Sequence, residues 1–103
     1  MKGLVICQFA ITSKNMITKI KQYAQQEEDL QVECASVSEI SEINFADYDV
    51  VLLAPQIRHY LKNVEEKCKP LGIPVSSIDV VAYGLSDAQK VLTQMKKLYD
   101  TKK

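Results

Sequence analysis

Short apolar runs alternate along this chain with longer stretches of helical periodicity, a pattern that few folds accommodate. Residues 3–7 (GLVIC) and 50–54 (VVLLA) are continuously apolar, as expected of strands that are buried on both faces. A shorter run over 75–78 follows the turn residues of segment 70–74. Segment 13–28 instead repeats its apolar residues every three or four positions, like one face of a helix. This alternation predicts an α/β fold with a parallel sheet.

The second predicted strand differs from the first and the third. Leu30, Val32 and Cys34 alternate with Gln31 and Glu33, which indicates a strand at the sheet edge with one wetter face. Right-handed crossovers place helices on both faces of a parallel sheet. An edge position for this strand therefore predicts a four-stranded parallel sheet of order 2-1-3-4, in a flavodoxin-like three-layer sandwich.

Local signals predict where the helices begin. Ser36 with Glu39, and Ser86 with Gln89, have the spacing of capping boxes and predict the starts of a short second helix and of the last helix. Pro55 suits the first turn of the third helix. The apolar faces of the three longer helices are predicted to be formed by Met16, Ile17, Ile20, Tyr23 and Ala24, by Ile57, Tyr60, Leu61, Val64 and Cys68, and by Ala88, Val91, Leu92, Met95 and Leu98.

Composition fits one domain, 1–103, without a strongly charged surface. The chain has 103 residues, of which 47% are hydrophobic, enough for a single core. Its 13 Lys and Arg residues are balanced by 13 Asp and Glu residues, so no overall field favours nucleic acid or anionic lipid. No apolar run reaches about 18 residues and no secretory signal pattern is seen. We therefore expect a cytoplasmic protein without a nucleic-acid partner.

The three cysteines are an odd number without CxxC spacing, which argues against a disulfide framework and against a zinc site. Cys34 and Cys68 lie on apolar stripes, so we expect both thiols to be buried and unreactive. The single histidine, His59, is predicted to face solvent. No metal or other cofactor is expected, because there is neither a second histidine nor a cluster of cysteines.

Cys7 ends the first strand at the predicted switch point between strands one and three, where doubly wound sheets bind ligands. The amino terminus of the following helix would favour the thiolate and would bind phosphate. We expect this thiol to combine access with activation and to react faster than the other two. Position alone leaves open that Cys7 only completes the strand as a small apolar residue. The predicted phosphate-binding loop comprises Gln8, Phe9, Ala10, Ile11, Thr12, Ser13 and Lys14.

Several segments together resemble the enzyme IIB components of bacterial sugar phosphotransferase systems, in the lactose/cellobiose (chitobiose) class. These are the opening strand with Cys7, segment 49–58 (DVVLLAPQIR), the pair Ile78-Asp79 and segment 82–84 (AYG). The resemblance implies that Cys7 accepts a phosphoryl group from a phosphohistidine of enzyme IIA. It also implies that the group passes to a sugar of the cellobiose, chitobiose or lactose type, taken up through the membrane enzyme IIC.

The resemblance also implies where the phosphoryl donor binds. Enzyme IIA must bring its phosphohistidine to the sulfur, so it should cover Cys7 and the loops that border it. In the loop after the third strand, Gln56, Arg58 and His59 are the residues predicted to contact the partner. We expect a monomer that docks transiently with enzymes IIA and IIC.

The sequence is also compatible with two alternative functions. Ala10 and Ala54 replace glycines of the family pattern, and Lys14 replaces a hydroxyl residue, which would suit a non-catalytic interaction or regulatory module that retains the fold. A low-molecular-weight cysteine-loop phosphatase would need an arginine six residues after its cysteine to bind phosphate bidentately. Ser13 occupies that position, so phosphatase chemistry is disfavoured.

Overall fold

The structure is a computed structural model that describes residues 2–7, 14–24, 30–85 and 87–101. Within these residues, four strands form one parallel sheet in the predicted order, β2-β1-β3-β4. The strands are β1 (Lys2–Cys7), β2 (Gln31–Ser36), β3 (Val50–Leu53) and β4 (Val75–Ser77). The α-helices are α1 (Lys14–Ala24), α2 (Leu61–Cys68), α3 (Val80–Gly84) and α4 (Ala88–Thr101).

Side chains along the two central strands alternate between the two faces of the sheet, and helices cover both faces, which gives three layers. In β1, Val5 points to one face of the sheet while Leu4 and Ile6 point to the other, as the two-residue period of a strand requires. One face packs against α1 and α4, and the opposite face packs against α2. The flavodoxin-like sandwich predicted from the sequence is therefore confirmed.

The edge strand β2 ends in the predicted capping box. The Glu39 carboxylate accepts a hydrogen bond from the Ser36 backbone N–H at 3.4 Å, and the Ser36 hydroxyl accepts one from the Ser38 N–H at 3.4 Å. The helix that follows, Val37–Glu42, is a 3₁₀-helix and ends before Asn44, as predicted. A second 3₁₀ turn, Phe45–Asp47, leads into β3.

The predicted third helix is divided into two parts. Pro55 begins a 3₁₀-helix, Pro55–Tyr60, with a non-helical backbone at Ile57 (φ −118°, ψ 22°), and α2 follows. Because this change rotates the following residues, Tyr60 is 38% exposed and the prediction that it joins the apolar stripe is wrong. In α1, Tyr23 is likewise 38% exposed, whereas Ile20 is buried as predicted.

A short helix that the sequence analysis did not predict, α3, lies between β4 and α4. The Asp79 carboxylate caps it by accepting a hydrogen bond from the Ala82 N–H at 3.2 Å. At the start of α4, the Asp87 carboxylate accepts a hydrogen bond from the Lys90 N–H at 3.2 Å. Ser86, the predicted cap, lies outside the described residues. No helix among the described residues is long and apolar enough to cross a membrane.

A glycine in β1, Gly3, lies where the sheet packs closely against α4. Gly3 is buried, and a Cβ added there would overlap the thioether of Met95. We expect Gly3→Val to lower the free energy of unfolding by about 1–3 kcal/mol in urea denaturation, because this interface is closely packed. Gly84→Val is the matched control, since no atom lies within 4 Å of its added Cβ. Equal losses at both positions would contradict the explanation by overlap.

Candidate functional site

Cys7 lies at the carboxyl end of a central strand, between the ends of β2 and β3. It pairs in register with Ser36 of β2. On the other side, the Ala54 N–H donates a hydrogen bond to the Ile6 carbonyl at 2.8 Å, which holds the segment after β3 beside the end of β1. The sheet order therefore places Cys7 at the switch point between β1 and β3, where a doubly wound sheet can bind a ligand.

The Cys7 side chain is buried, with 0% of its surface exposed. Its thiol donates a hydrogen bond to the Ala35 carbonyl oxygen at 3.6 Å, and its sulfur lies 3.5 Å from the sulfur of Cys34. The sequence predicted an accessible Cys7 thiol, and the conformation that the structure shows contradicts this prediction. The neighbouring strand β2 supplies both of these contacts.

The other two thiols differ from each other. Cys34 is half-buried and contacts Cys7, so the prediction that its thiol is buried is wrong. Its hydrogen bond with Cys7 is the largest cause that raises its pKa well above the ordinary value, and burial adds to the effect. Cys68 is buried in α2 as predicted, and burial raises its pKa to about 11.

The predicted phosphate-binding loop meets the described structure only at its end. Residues 8–13 lie outside the described residues, and Lys14 begins α1. No acidic residue lies in the first turn of α1, so no carboxylate there offsets the partial positive charge of the helix amino terminus. The phosphate-binding loop remains a prediction. The helix that follows it, α1, directs the positive end of its dipole towards the loop.

The residues predicted to contact a partner lie at the surface next to this site. Gln56, Arg58 and His59 are exposed in the 3₁₀-helix that follows β3. The exposure of His59 is confirmed, and its ring centroid lies 4.5 Å from that of Tyr60. Gln56 and Arg58 also line a shallow groove whose opposite wall is formed by Val80, Tyr83 and Gly84.

Helix α3 and the residue that follows it have exposed apolar side chains that the sequence analysis missed. Val80, Val81 and Leu85 are 59%, 58% and 69% exposed. They follow β4, so they lie at the same end of the sheet as Cys7. Asp79 was the available signal, because aspartate before a short apolar segment can mark a helix start. Exposed aliphatic side chains at a groove with polar residues on one wall suit a protein-docking surface.

Two acidic residues that flank the strands accept hydrogen bonds from the backbone. Asp49 accepts a hydrogen bond from the Lys2 N–H at 2.8 Å, and Asp79 caps α3 as described above. Among the residues that the structure describes, no group of three or more His, Cys, Asp and Glu side chains could hold a metal ion.

Comparison with known proteins gives a consistent result. A family model described as "PTS system, Lactose/Cellobiose specific IIB subunit" matches residues 2–94. The chain is also similar to the oligo-beta-mannoside-specific EIIB component of the PTS system of Bacillus subtilis (strain 168). The two are 28% identical over 94 residues, which make up 90% of this chain and 90% of the relative.

Two solved structures share the architecture over almost the whole chain. The lactose-specific IIB domain of the phosphotransferase system from Streptococcus pneumoniae has a TM-score of 0.80 and 25% identity, covering 96% of this chain and 97% of that one. The cellobiose-specific IIB component from Borrelia burgdorferi has a TM-score of 0.76 and 32% identity, covering 99% and 94%.

Proposed function

The chain belongs to the lactose/cellobiose-specific IIB family of the phosphotransferase system, and we propose that Cys7 is the residue that carries its phosphoryl group. Membership of this family gives the chain a role in sugar transport and phosphoryl transfer. The position of Cys7, a thiol at the carboxyl end of a central strand at the switch point of the sheet, is the observation that supports the finer assignment.

The proposed reaction has two transfers. In the first, the Cys7 thiolate attacks the phosphorus of a phosphohistidine on enzyme IIA, so that an S–P bond forms and the P–N bond breaks. In the second, a hydroxyl group of a β-glycoside held by enzyme IIC attacks the phosphorus. An O–P bond then forms, the sulfur leaves as a thiolate, and the sugar hydroxyl loses its proton. No metal ion is needed, provided that backbone amides stabilise the phosphoryl oxygens.

The proposed source of those amides is segment 8–13, together with the amino terminus of α1 at Lys14. Phosphate binds readily where free backbone N–H groups and the positive end of a helix dipole coincide. The absence of acidic residues from the first turn of α1 supports this assignment. Transfer also requires the Cys7 sulfur to reach the surface, so we infer that enzyme IIA binds a conformation in which this thiol is less buried.

The proposed surface for enzyme IIA lies between the 3₁₀-helix after β3 and α3. Gln56 and Arg58 supply polar contacts on one wall of the groove, while Val80 and Tyr83 form the other wall. His59 lies exposed in the same 3₁₀-helix. A surface with a small apolar centre and polar edges suits transient docking, and a carrier must release each partner in turn. We propose that the chain acts as a monomer in the cytoplasm.

A phosphorylation assay tests the proposal. The protein is incubated with phosphoenolpyruvate, the general phosphotransferase proteins and a matching enzyme IIA, and then analysed by mass spectrometry. The expected result is an intact mass increased by one phosphoryl group, located on the Cys7 peptide. An adduct on His59, or on another residue, would contradict the assignment of Cys7.

The full burial of Cys7 favours a second candidate function, a non-catalytic module that keeps the fold and the docking surface. Such a protein would bind enzyme IIA but would acquire no phosphoryl group in the same assay. Binding of unphosphorylated enzyme IIA, measured by chemical-shift changes, separates this candidate from a protein that does not recognise the partner at all.

A further inference from the structure

We propose that Cys34 is a positioning residue for Cys7, because its thiol donates a hydrogen bond to the Cys7 sulfur and favours the thiolate that attacks phosphorus. This inference rests on the proposed function. It concerns a residue that the sequence analysis had assigned to the interior. Its test measures the Cys7 thiolate directly and does not depend on phosphoryl transfer.

The two sulfurs meet across neighbouring strands. Cys34 pairs in register with Val5, two residues before Cys7, and the Sγ atoms of the two cysteines lie 3.5 Å apart. That distance is within hydrogen-bonding range for sulfur, and either thiol can donate. In this conformation Cys7 is buried, so hydrogen-bond donors to its thiolate must come from protein groups. A neighbouring S–H group is therefore a suitable source.

The contact of Cys7 with the Ala35 carbonyl has the opposite effect. The Ala35 carbonyl oxygen accepts a hydrogen bond from the Cys7 thiol at 3.6 Å, which favours the protonated form. A Cys7 thiolate would be repelled by the partial negative charge of that carbonyl oxygen. Donation from Cys34 offsets this cost, since a hydrogen bond to the charged form favours ionisation. These two contacts therefore act on the ionisation of Cys7 in opposite directions.

Cys34 is suited to remain the donor. Its hydrogen bond with Cys7 is the main cause that raises its pKa, so this thiol keeps its proton at neutral pH. Charged groups near it act in both directions: Lys21 of α1 lowers its pKa and Glu39 of the following 3₁₀-helix raises it. Tyr83 of α3, like Cys34 itself, packs against the cores on both faces of the sheet. Cys34 is therefore expected to stay protonated at a pH at which Cys7 ionises.

The test is the pH profile of iodoacetamide alkylation at Cys7, followed by mass spectrometry of the Cys7 peptide under reducing conditions. Only the thiolate reacts, so the midpoint of the profile reports ionisation, whereas the plateau at high pH reports access. Removing the donor by Cys34→Ala should move the midpoint to higher pH. Below the midpoint, the rate should fall by about tenfold relative to the unchanged protein.

Two further variants distinguish donation from packing. Cys34→Ser keeps a hydroxyl donor of similar size and should keep the midpoint close to that of the unchanged protein. Cys68→Ala removes a buried thiol from α2 and should not move it. An unchanged midpoint in Cys34→Ala, or equal shifts in Cys34→Ala and Cys34→Ser, would overturn the proposal. Failure of the phosphorylation assay with a confirmed midpoint shift would instead reject the proposed function and leave the thiol pair in place.

Discussion

Replacing Cys7 by serine is expected to lower the rate of sugar phosphorylation by more than about a thousandfold, a loss of ~4 kcal/mol in transition-state stabilisation. A serine hydroxyl stays protonated at neutral pH and is a far weaker nucleophile than a thiolate. The fold should be retained, because the new hydroxyl can donate to the Ala35 carbonyl as the thiol does. The measurement is sugar phosphate formed per minute with enzymes IIA and IIC supplied in excess.

Cys68→Ser is the matched control for this substitution. Cys68 is buried at the end of α2, where a serine hydroxyl can bond to the carbonyl four residues earlier. The control should fold and should transfer phosphate at close to the original rate. Comparable activity in the Cys7 and Cys68 variants would show that the phosphoryl group travels by another residue, and the assignment of Cys7 would have to be withdrawn.

A charge placed on α3 is expected to have the second-largest effect. Val80 is 59% exposed on the wall of the groove that it shares with Gln56 and Arg58. At the centre of an interface, Val80→Asp would bury an unpaired carboxylate and should lower kcat/KM for transfer from enzyme IIA by about thirtyfold, or ~2 kcal/mol. The loss should appear mainly in KM for enzyme IIA. The measurement is the rate of Cys7 phosphorylation over a range of enzyme IIA concentrations.

Leu71 provides the control at the other end of the sheet. It is also a large aliphatic residue, 47% exposed, and it lies before β4 and not after it. Leu71→Asp therefore adds the same charge to a surface far from the proposed docking groove, and transfer should stay within about twofold of the original rate. If both variants lost activity equally, general effects of charge or stability would explain the result better than docking.

The strand order was predictable because burial leaves a local pattern in the sequence. Continuous apolar runs marked the two central strands, and the alternation of Leu30, Val32 and Cys34 marked the edge strand β2. Helix α3 was not predictable in the same way, since two adjacent valines favour strands when taken alone. Its start depends on a cap from Asp79, whose own N–H is bonded at 3.0 Å to the Gln94 side chain of α4.

By itself, the sequence determined that Cys7 ends a central strand. The apolar run that forms this strand and the alternation that marks the edge strand are both patterns of neighbouring residues in the sequence. Only the tertiary structure decided what surrounds the sulfur. Cys34 lies 27 positions further along the chain, and parallel pairing of β1 with β2 brings the two sulfurs to 3.5 Å. The hydrogen bond from the Cys7 thiol to the Ala35 carbonyl arises in the same way, and it leaves no periodic signal around residue 7. Exposure and ionisation of a side chain depend on such distant neighbours, whereas its place in a strand depends mainly on near ones.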